Sequence, residues 1–312
     1  MSILNRPYFY DEPKAFEHVE AVLWPQGPVC HHCGSMEKPY KLAGVRSKAS
    51  KKNPEGVERH GLYKCKDCRG QFTVRMGTIF EESHIPLHKW LQAIHLMCAS
   101  KKGFSAHQMH RTLEITYKSA WFLCHRIREA MRSDNSTPLG GLGKIVEIDE
   151  TFIGKKQGFT KANAWGHKMK VLSLVERGGT VRSSRLARLS RTGIEETVRE
   201  NVHLETRLMT DMAAYYKKPF KGFAGHETVD HGRDEYVRGE AHTNTLEGYF
   251  SIFKRGMKGV YQHCREKHLH RYLAEFDFRY NHRIALGIND DSRAISAIGN
   301  IRGKRLYYKQ PS

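Results

Sequence analysis

Ile145-Val146-Glu147-Ile148-Asp149-Glu150-Thr151 sets acidic side chains into an apolar β run. Acids seldom sit in the middle of a sheet unless they are paired or bind a metal. Strand alternation puts Ile145, Glu147 and Asp149 on one face, and Val146, Ile148 and Glu150 on the other. Downstream, period-two patterning predicts further strands over 169–175, 181–189 and about 207–210, with the first strand running 144–153. A helix is predicted from near Gly193, and helices dominate after Thr243. This order predicts an α/β fold, a mixed sheet covered by helices.

Two more acids stand at element ends. Asp211 closes the strand Leu208-Met209-Thr210. Glu247 lies in the first turn of a helix after His242-Thr243-Asn244-Thr245-Leu246, and 35 residues separate the two acids. Each acid also has a plain structural reading. Asp149 suits an edge strand in water, Asp211 suits a helix cap before Met212-Ala213-Ala214, and Asn244-x-x-Glu247 has the spacing of a capping box. Leu246, Phe250, Phe253 and Met257 form a core-facing stripe. Ser251 and Lys254 follow Glu247 at i+4 and i+7, which places Lys254 near the carboxylates, where it would grip a phosphate. Glu147 and Glu150 read as structural neighbours of Asp149, and His226, Asp230, His231 and His242 as a polar loop cluster.

Upstream, Cys30/Cys33 and Cys65/Cys68 form two C-x2-C pairs with 31 residues between them. Such pairs place two thiolates on one turn, and two together complete a closed tetrahedral site for structural Zn²⁺. The spacer exceeds the roughly 15–20 residues usual for this pattern, so part of it must loop out. Tyr63 and Phe72 flank the second pair as a cover, and His31, His32 and His60 are bystanders or substitute ligands. Residues 1–80 otherwise read as irregular. From Pro86 the pattern turns helical, with Gly103 ending the first run and a short turn at Ile115-Thr116 separating two further helices. On the last of these, Ala120, Leu123, Cys124, Ile127 and Met131 form the core stripe. Lys118, His125, Arg126, Arg128 and Arg132 are expected on the other side as a DNA-facing surface, in the manner of a helix-turn-helix.

The chain of 312 residues carries 52 Lys and Arg against 33 Asp and Glu, a net charge of +19. This imbalance points to a polyanionic partner, nucleic acid ahead of a membrane surface. Residues 250–312 alone hold 13 basic against 5 acidic residues, with Lys254, Arg255 and Lys258 suited to tracking DNA. No apolar run approaches the ~18 residues of a membrane span, and no leader pattern is present, so the expectation is a soluble intracellular protein.

Taken together, V-E-I-D-E-T-F-I-G at 146–154, M-T-D at 209–211, H-T-N-T-L-E-G-Y-F-S-I-F-K-R-G at 242–256 and R-Y-N-H-R at 279–283, behind a zinc ribbon, resemble the DDE transposases of bacterial insertion sequences, in particular the IS1595 (ISXO2-like) family. The resemblance implies an RNase H-like sheet flanked by helices over 136–312, after a zinc ribbon over 1–80 and a helix-turn-helix segment over 81–135. It implies Asp149, Asp211 and Glu247 as ligands of two Mg²⁺ or Mn²⁺ ions, with Asp149 bridging, Lys254 on a DNA phosphate, and Asn244 as the reserve for the third position. The implied partners are double-stranded DNA, both terminal repeats and target, and further copies of the chain, in the cytoplasm at the nucleoid. Two rival readings remain: a related nuclease that cuts without joining, and a DNA-binding regulator that kept the fold.

Overall fold

A computed structural model describes residues 3–51, 53–134, 137–156, 158, 166–218, 220–230 and 237–306. The chain forms two compact units. The first comprises Met1–Ala99, Ala106–Met131 and Asp290–Ser312, the second Ser100–Ser105 and Arg132–Asn289. The stretch from Asp290 onward thus belongs with the ribbon and the helices that follow it, not with the large sheet.

In the first unit, helix α1 (Glu12–Leu23) lies where irregular chain was expected. Asp11 caps it by accepting the Lys14 N–H at 3.0 Å, and Pro13 falls in its first turn, where its missing N–H costs nothing. Ala15, Phe16, Val19 and Leu23 make its buried stripe. Strands β1 (Pro39–Lys41), β2 (Tyr63–Cys65) and β3 (Gln71–Phe72) form an antiparallel sheet. The long spacer between β1 and β2 folds back on itself: Ser47 N–H donates to Val57 and Arg59 N–H to Val45, both at 2.8 Å. Helix α2 (Leu87–Ala99) is capped from a distance, since Glu12 accepts the N–H groups of Leu87 and His88 at 2.7 and 3.0 Å. Helices α3 (Ala106–Leu113) and α4 (Tyr117–Met131) are joined by three residues, of which Glu114 turns through φ +52°.

The second unit is built on β4 (Ile145–Ile153), β5 (Met169–Glu176), β6 (Val181–Leu186), β7 (Arg207–Asp211) and β8 (Gly225–Val229), in the order β6-β5-β4-β7-β8. β4, β5 and β6 pair antiparallel, while β7 joins β4 and β8 joins β7 in parallel. Val146, Ile148, Leu172, Leu174 and Leu208 pack on one face with Ile194 and Val198 of α5 (Arg191–Asn201). Val171 and Val175 pack on the other with Leu246 and Phe253 of α6 (Asn244–Gly256) and Phe276 of α7 (Leu269–Asn281). Burying each such side chain is worth about 1.5–3 kcal/mol. α6 runs on into a single π turn, Met257–Tyr261. Gly103 holds φ +105° against Tyr261, where a Cβ would meet the phenol oxygen at 2.1 Å. The last helix of the chain, α8 (Asp290–Gly299), returns to the first unit.

The outer edge of β6 is covered by side chains of α7. Asn281 Oδ1 accepts from Val181 N–H at 2.7 Å and its Nδ2 donates to Val181 O at 2.9 Å, as a neighbouring strand would. Two residues along, Ser183 N–H donates to Asp277 at 2.7 Å. Asn281→Ala removes both bonds and is expected to destabilise by ~1–3 kcal/mol in urea unfolding. An unchanged midpoint would show that water replaces the amide without loss.

Asp277 is half-buried and also accepts from the hydroxyls of Ser183 at 2.8 Å and Tyr249 at 2.5 Å. Burial outweighs these donors and pushes its carboxyl from 3.8 up to about 6. With the folded value raised, Asp277 contributes stability that is complete below the unfolded pKa and is lost as pH rises through about 6. The stability of Asp277→Asn relative to the parent is therefore expected to improve by about 3 kcal/mol between pH 4 and 7, the order set by a two-unit shift. A pH-independent difference would refute this.

Candidate metal centre and active site

Each cysteine pair sits on a turn that its own backbone closes. Gly34 N–H donates to Cys30 O at 2.9 Å, and Cys65 N–H to Gly70 O at 3.0 Å. Gly34 at φ +77° and Arg69 at φ +58° supply the left-handed residues these turns need. Cys30 Sγ lies 3.6 Å from Cys68 Sγ, Cys33 Sγ 3.7 Å from Cys65 Sγ, and all four sulfurs fall within 4.8 Å of one another. Four thiolates at the ~2.3 Å Zn–S distance of a tetrahedral site stand about 3.8 Å apart, close to the two shortest separations here, so the set suits zinc. The Cys68 N–H draws the Cys65 thiol down, while burial and the neighbouring thiols push Cys33 and Cys68 up, as expected of four thiols sharing one site. Tyr63 and Phe72 pack against Cys30 and Cys65 with Trp24 over them, as cover for the site. The nearby histidines lie outside this ligand set: His32 Nε2 is spent on Gln71 O at 3.1 Å.

In the second unit, the parallel register pairs Glu147 with Met209. Carried two residues further, the same offset sets Asp149 beside Asp211 on adjacent strands, on the sheet face that α6 covers. Asp149 is held by the Glu150 N–H, which donates to its Oδ1 at 2.7 Å, and Asp211 by Ala213 N–H at 3.0 Å. Burial pushes the Asp149 carboxyl well above the usual range, and the charges of Glu150 and Asp211 push it the same way. The Lys254 ammonium opposes them, so α6 does bring Lys254 into electrostatic reach of Asp149, with its Nζ over the Phe250 ring. A bound cation would relieve this crowding of negative charge.

Glu247 stands exposed in the first turn of α6, and among the described residues Asp149, Asp211 and Glu247 do not form a set as tight as the cysteines. Asn244 is exposed at the start of the same turn. The cap position falls at Thr243 and not at Asn244, and the Thr243 side chain does not cap the helix. Instead Glu147, fully buried, reaches from β4 and accepts Leu246 N–H at 3.0 Å and the Thr245 hydroxyl at 2.8 Å. Glu150 faces the other way and takes the hydroxyls of Tyr215 and, at 2.9 Å, Tyr216. It thereby holds the chain that follows Asp211. The sequence marks both glutamates as neighbours of Asp149 but gives no sign of these partners, which lie 65 or more residues away.

Two family models match the chain. Residues 10–71 match a transposase zinc-ribbon domain and residues 138–281 an ISXO2-like transposase domain. The chain belongs to the IS1595 (ISXO2-like) family of transposases. The first match contains the four cysteines, the second the three acids and Lys254. A protein of transposable element ISH50 from Halobacterium salinarum is 25% identical over 297 residues, 87% of this chain and 91% of that one. Among solved structures, the simian T-cell lymphotropic virus intasome with PP2A regulatory subunit B56 gamma matches 54% of this chain and 67% of its own, at 13% identity and a TM-score of 0.28. That likeness is too slight to bear on the fold.

The transposase departs from expectation on α4. His125, Arg126 and Arg128 are buried, so they form no exposed DNA-facing surface. Arg126 spends its guanidinium on the carbonyls of Ile79 and Glu81, both at 2.8 Å, and lies over the Phe122 ring. Arg75 does similar work, donating to Phe80, Ser83 and Ile85 carbonyls. The helix spacing carried the warning. Arg126 follows Leu123 by three residues and Arg128 follows Cys124 by four, so both fall beside the core stripe. Lys118 near the start of α4 is exposed, as are Arg132 after it and Arg255 and Lys258 on the α6 side. Two members of the polar cluster have partners on different strands of the sheet. His226 is hydrogen-bonded to Thr210 at 2.9 Å and burial pulls it down to about 4, while His242 lies 3.3 Å from Glu147. His231 lies outside the described residues.

Among the described residues, no helix is long and apolar enough to cross a membrane.

Proposed function

We propose that this transposase cuts the ends of its element and joins them to target DNA, with Asp149, Asp211 and Glu247 holding two Mg²⁺ or Mn²⁺ ions. The observation that carries this reading is the juxtaposition of Asp149 and Asp211 on adjacent parallel strands, in a pocket of charge that raises the Asp149 carboxyl and faces Lys254. The sheet supports an RNase H-like fold: three antiparallel strands with two parallel strands added beside β4. When bound, two hard cations on carboxylate oxygens supply Lewis acidity to the attacking and the leaving oxygen of an in-line phosphoryl displacement.

The chain's own groups set the geometry. The Glu150 and Ala213 N–H groups orient the two strand carboxylates. Glu247 approaches from α6, and Lys254, two turns along, steadies a phosphate. Water as nucleophile cuts the element end. The freed 3′-hydroxyl then attacks a target phosphorus, one P–O bond forming as another breaks, and the displaced 3′-oxygen takes up the proton. DNA is held by the exposed Lys118, Arg255 and Lys258 within a chain of net charge +19. The α3–turn–α4 pair would act as a helix-turn-helix, reading DNA through the exposed start of α4. Two element ends in one complex require at least a dimer on DNA.

Labelled duplexes carrying the element's ends, incubated with the full chain and Mg²⁺, test this. Cut and joined products support it. Cut ends without joining would leave a nuclease, and binding without cutting a regulator.

A further inference from the structure

Helix α6 carries Glu247 and Lys254, so where it begins sets where both lie. Thr243 offers it no side-chain cap, and 35 residues separate Asp211 from Glu247. The first N–H groups of a helix need partners from elsewhere, and a carboxylate there also meets the positive end of the helix dipole. Glu147 provides both. Its Oε2 accepts Leu246 N–H at 3.0 Å, and its Oε1 accepts the Thr245 hydroxyl at 2.8 Å and Arg177 Nε at 2.7 Å. Arg177 in turn donates to His242 O at 2.9 Å and, through its own N–H, to Ile145 O at 3.0 Å. One ion pair, buried on the Glu147 side, thus ties the start of β4, the residues before α6 and the first turn of α6.

Glu147 lies two residues before Asp149 on the same face of β4, and Leu246 is next to Glu247. We propose that Glu147, braced by Arg177, is the positioning residue that sets Glu247 against Asp149. The inference rests on the reading of those two acids as one site. It goes beyond that reading by giving the strand's buried glutamate a task distinct from holding the ions. A carboxylate ligand must be placed to within about 0.5 Å to act, and a 35-residue connection cannot set that by itself.

The test compares the full chain with Glu147→Gln, Thr245→Val and the double variant Glu147→Gln/Arg177→Met. Three readouts are hydrogen exchange at the Leu246 and Glu247 amides, Mn²⁺ titration, and cleavage of labelled element ends. Glu147→Gln is expected to exchange these amides at least ~10-fold faster, since the amide group cannot accept all three donors. It should need more Mn²⁺ for half-saturation and cut ~10²-fold more slowly, the cost of about 1 Å of misplacement. DNA affinity should not change. Thr245→Val, which removes one donor, should show the same effects in smaller degree. The double variant removes both partners of the buried pair, so thermal stability should return towards the parent while exchange and cutting stay impaired. Recovery of cutting together with stability would overturn the proposal, as would parent-like exchange at Leu246 in Glu147→Gln. If the parent chain itself neither binds Mn²⁺ nor cuts, the assignment of the site fails and the positioning role falls with it. Altered exchange in Glu147→Gln would then mark the bonds as a structural cap alone.

Discussion

Replacing Asp149 with asparagine is expected to lower Mg²⁺-dependent cutting and joining on the order of 10³-fold or more, a loss of at least about 4 kcal/mol in transition-state stabilisation. The substitution keeps the shape of the side chain, and the amide oxygen can still accept the Glu150 N–H that orients Asp149 Oδ1. What it removes is the charge that the proposed ions would need. DNA affinity, measured in parallel without metal, should stay within a few fold of the parent. The same change should raise the melting temperature of the metal-free protein near neutral pH. The half-buried carboxylate is crowded by Glu150 and Asp211, and an amide ends that repulsion. Activity lost while stability is gained separates a site residue from a structural one. Retention of cutting by Asp149→Asn would remove it from the metal site.

The second large effect is expected from zinc. The parent should contain one zinc per chain by elemental analysis, and Cys65→Ser, which alters a fully buried ligand, should bind it far more weakly. Structural zinc contributes apparent free energies of roughly 10–16 kcal/mol in small domains, far more than three short strands can supply. Chelation or Cys65→Ser should therefore expose Lys64 and Lys66, in and beside β2, to trypsin and change the near-ultraviolet signal of Trp24 and Tyr63. The sheet of the second unit, whose core includes none of these residues, should melt as before. A metal-free protein with an unchanged digestion pattern would mean that the strands and their aromatic cover hold without the ion.

The strands of the large sheet were legible because burial imposes alternation. Val146 and Ile148 on one face, with acids on the other, mark β4 and its register with little else needed. The cysteine pairs were legible because ligand spacing is local. β8 was not, since Gly225-His226-Glu227-Thr228-Val229 is an edge strand that buries only its last residue and so leaves no apolar rhythm. α1 carries ordinary helix signals, Asp11 as cap, Pro13 in the first turn and the spacing of Phe16, Val19 and Leu23, in a stretch whose polar, cysteine-bearing surroundings read as irregular. The charged side chains were hardest. Whether Arg126 faces solvent or the carbonyls of Ile79 and Glu81 depends on a loop 45 or more residues away. Glu147 likewise meets its partners across 98 residues of chain. Sequence marks such residues as polar at apolar positions. It does not say which distant group completes them.

The side chains laid along β6 bear on how this protein behaves when concentrated. An exposed sheet border is a template on which another chain can add a strand, the usual first contact in ordered aggregation. Here the Val181 N–H and carbonyl and the Ser183 N–H already face Asn281 and Asp277, so that border offers an incoming strand little to bind. For a basic protein proposed to gather in several copies on DNA, this takes the β6 border out of the surfaces open to strand addition. Weakening the Asn281 contact would then reveal itself first as material lost to precipitation, before any change in chemistry.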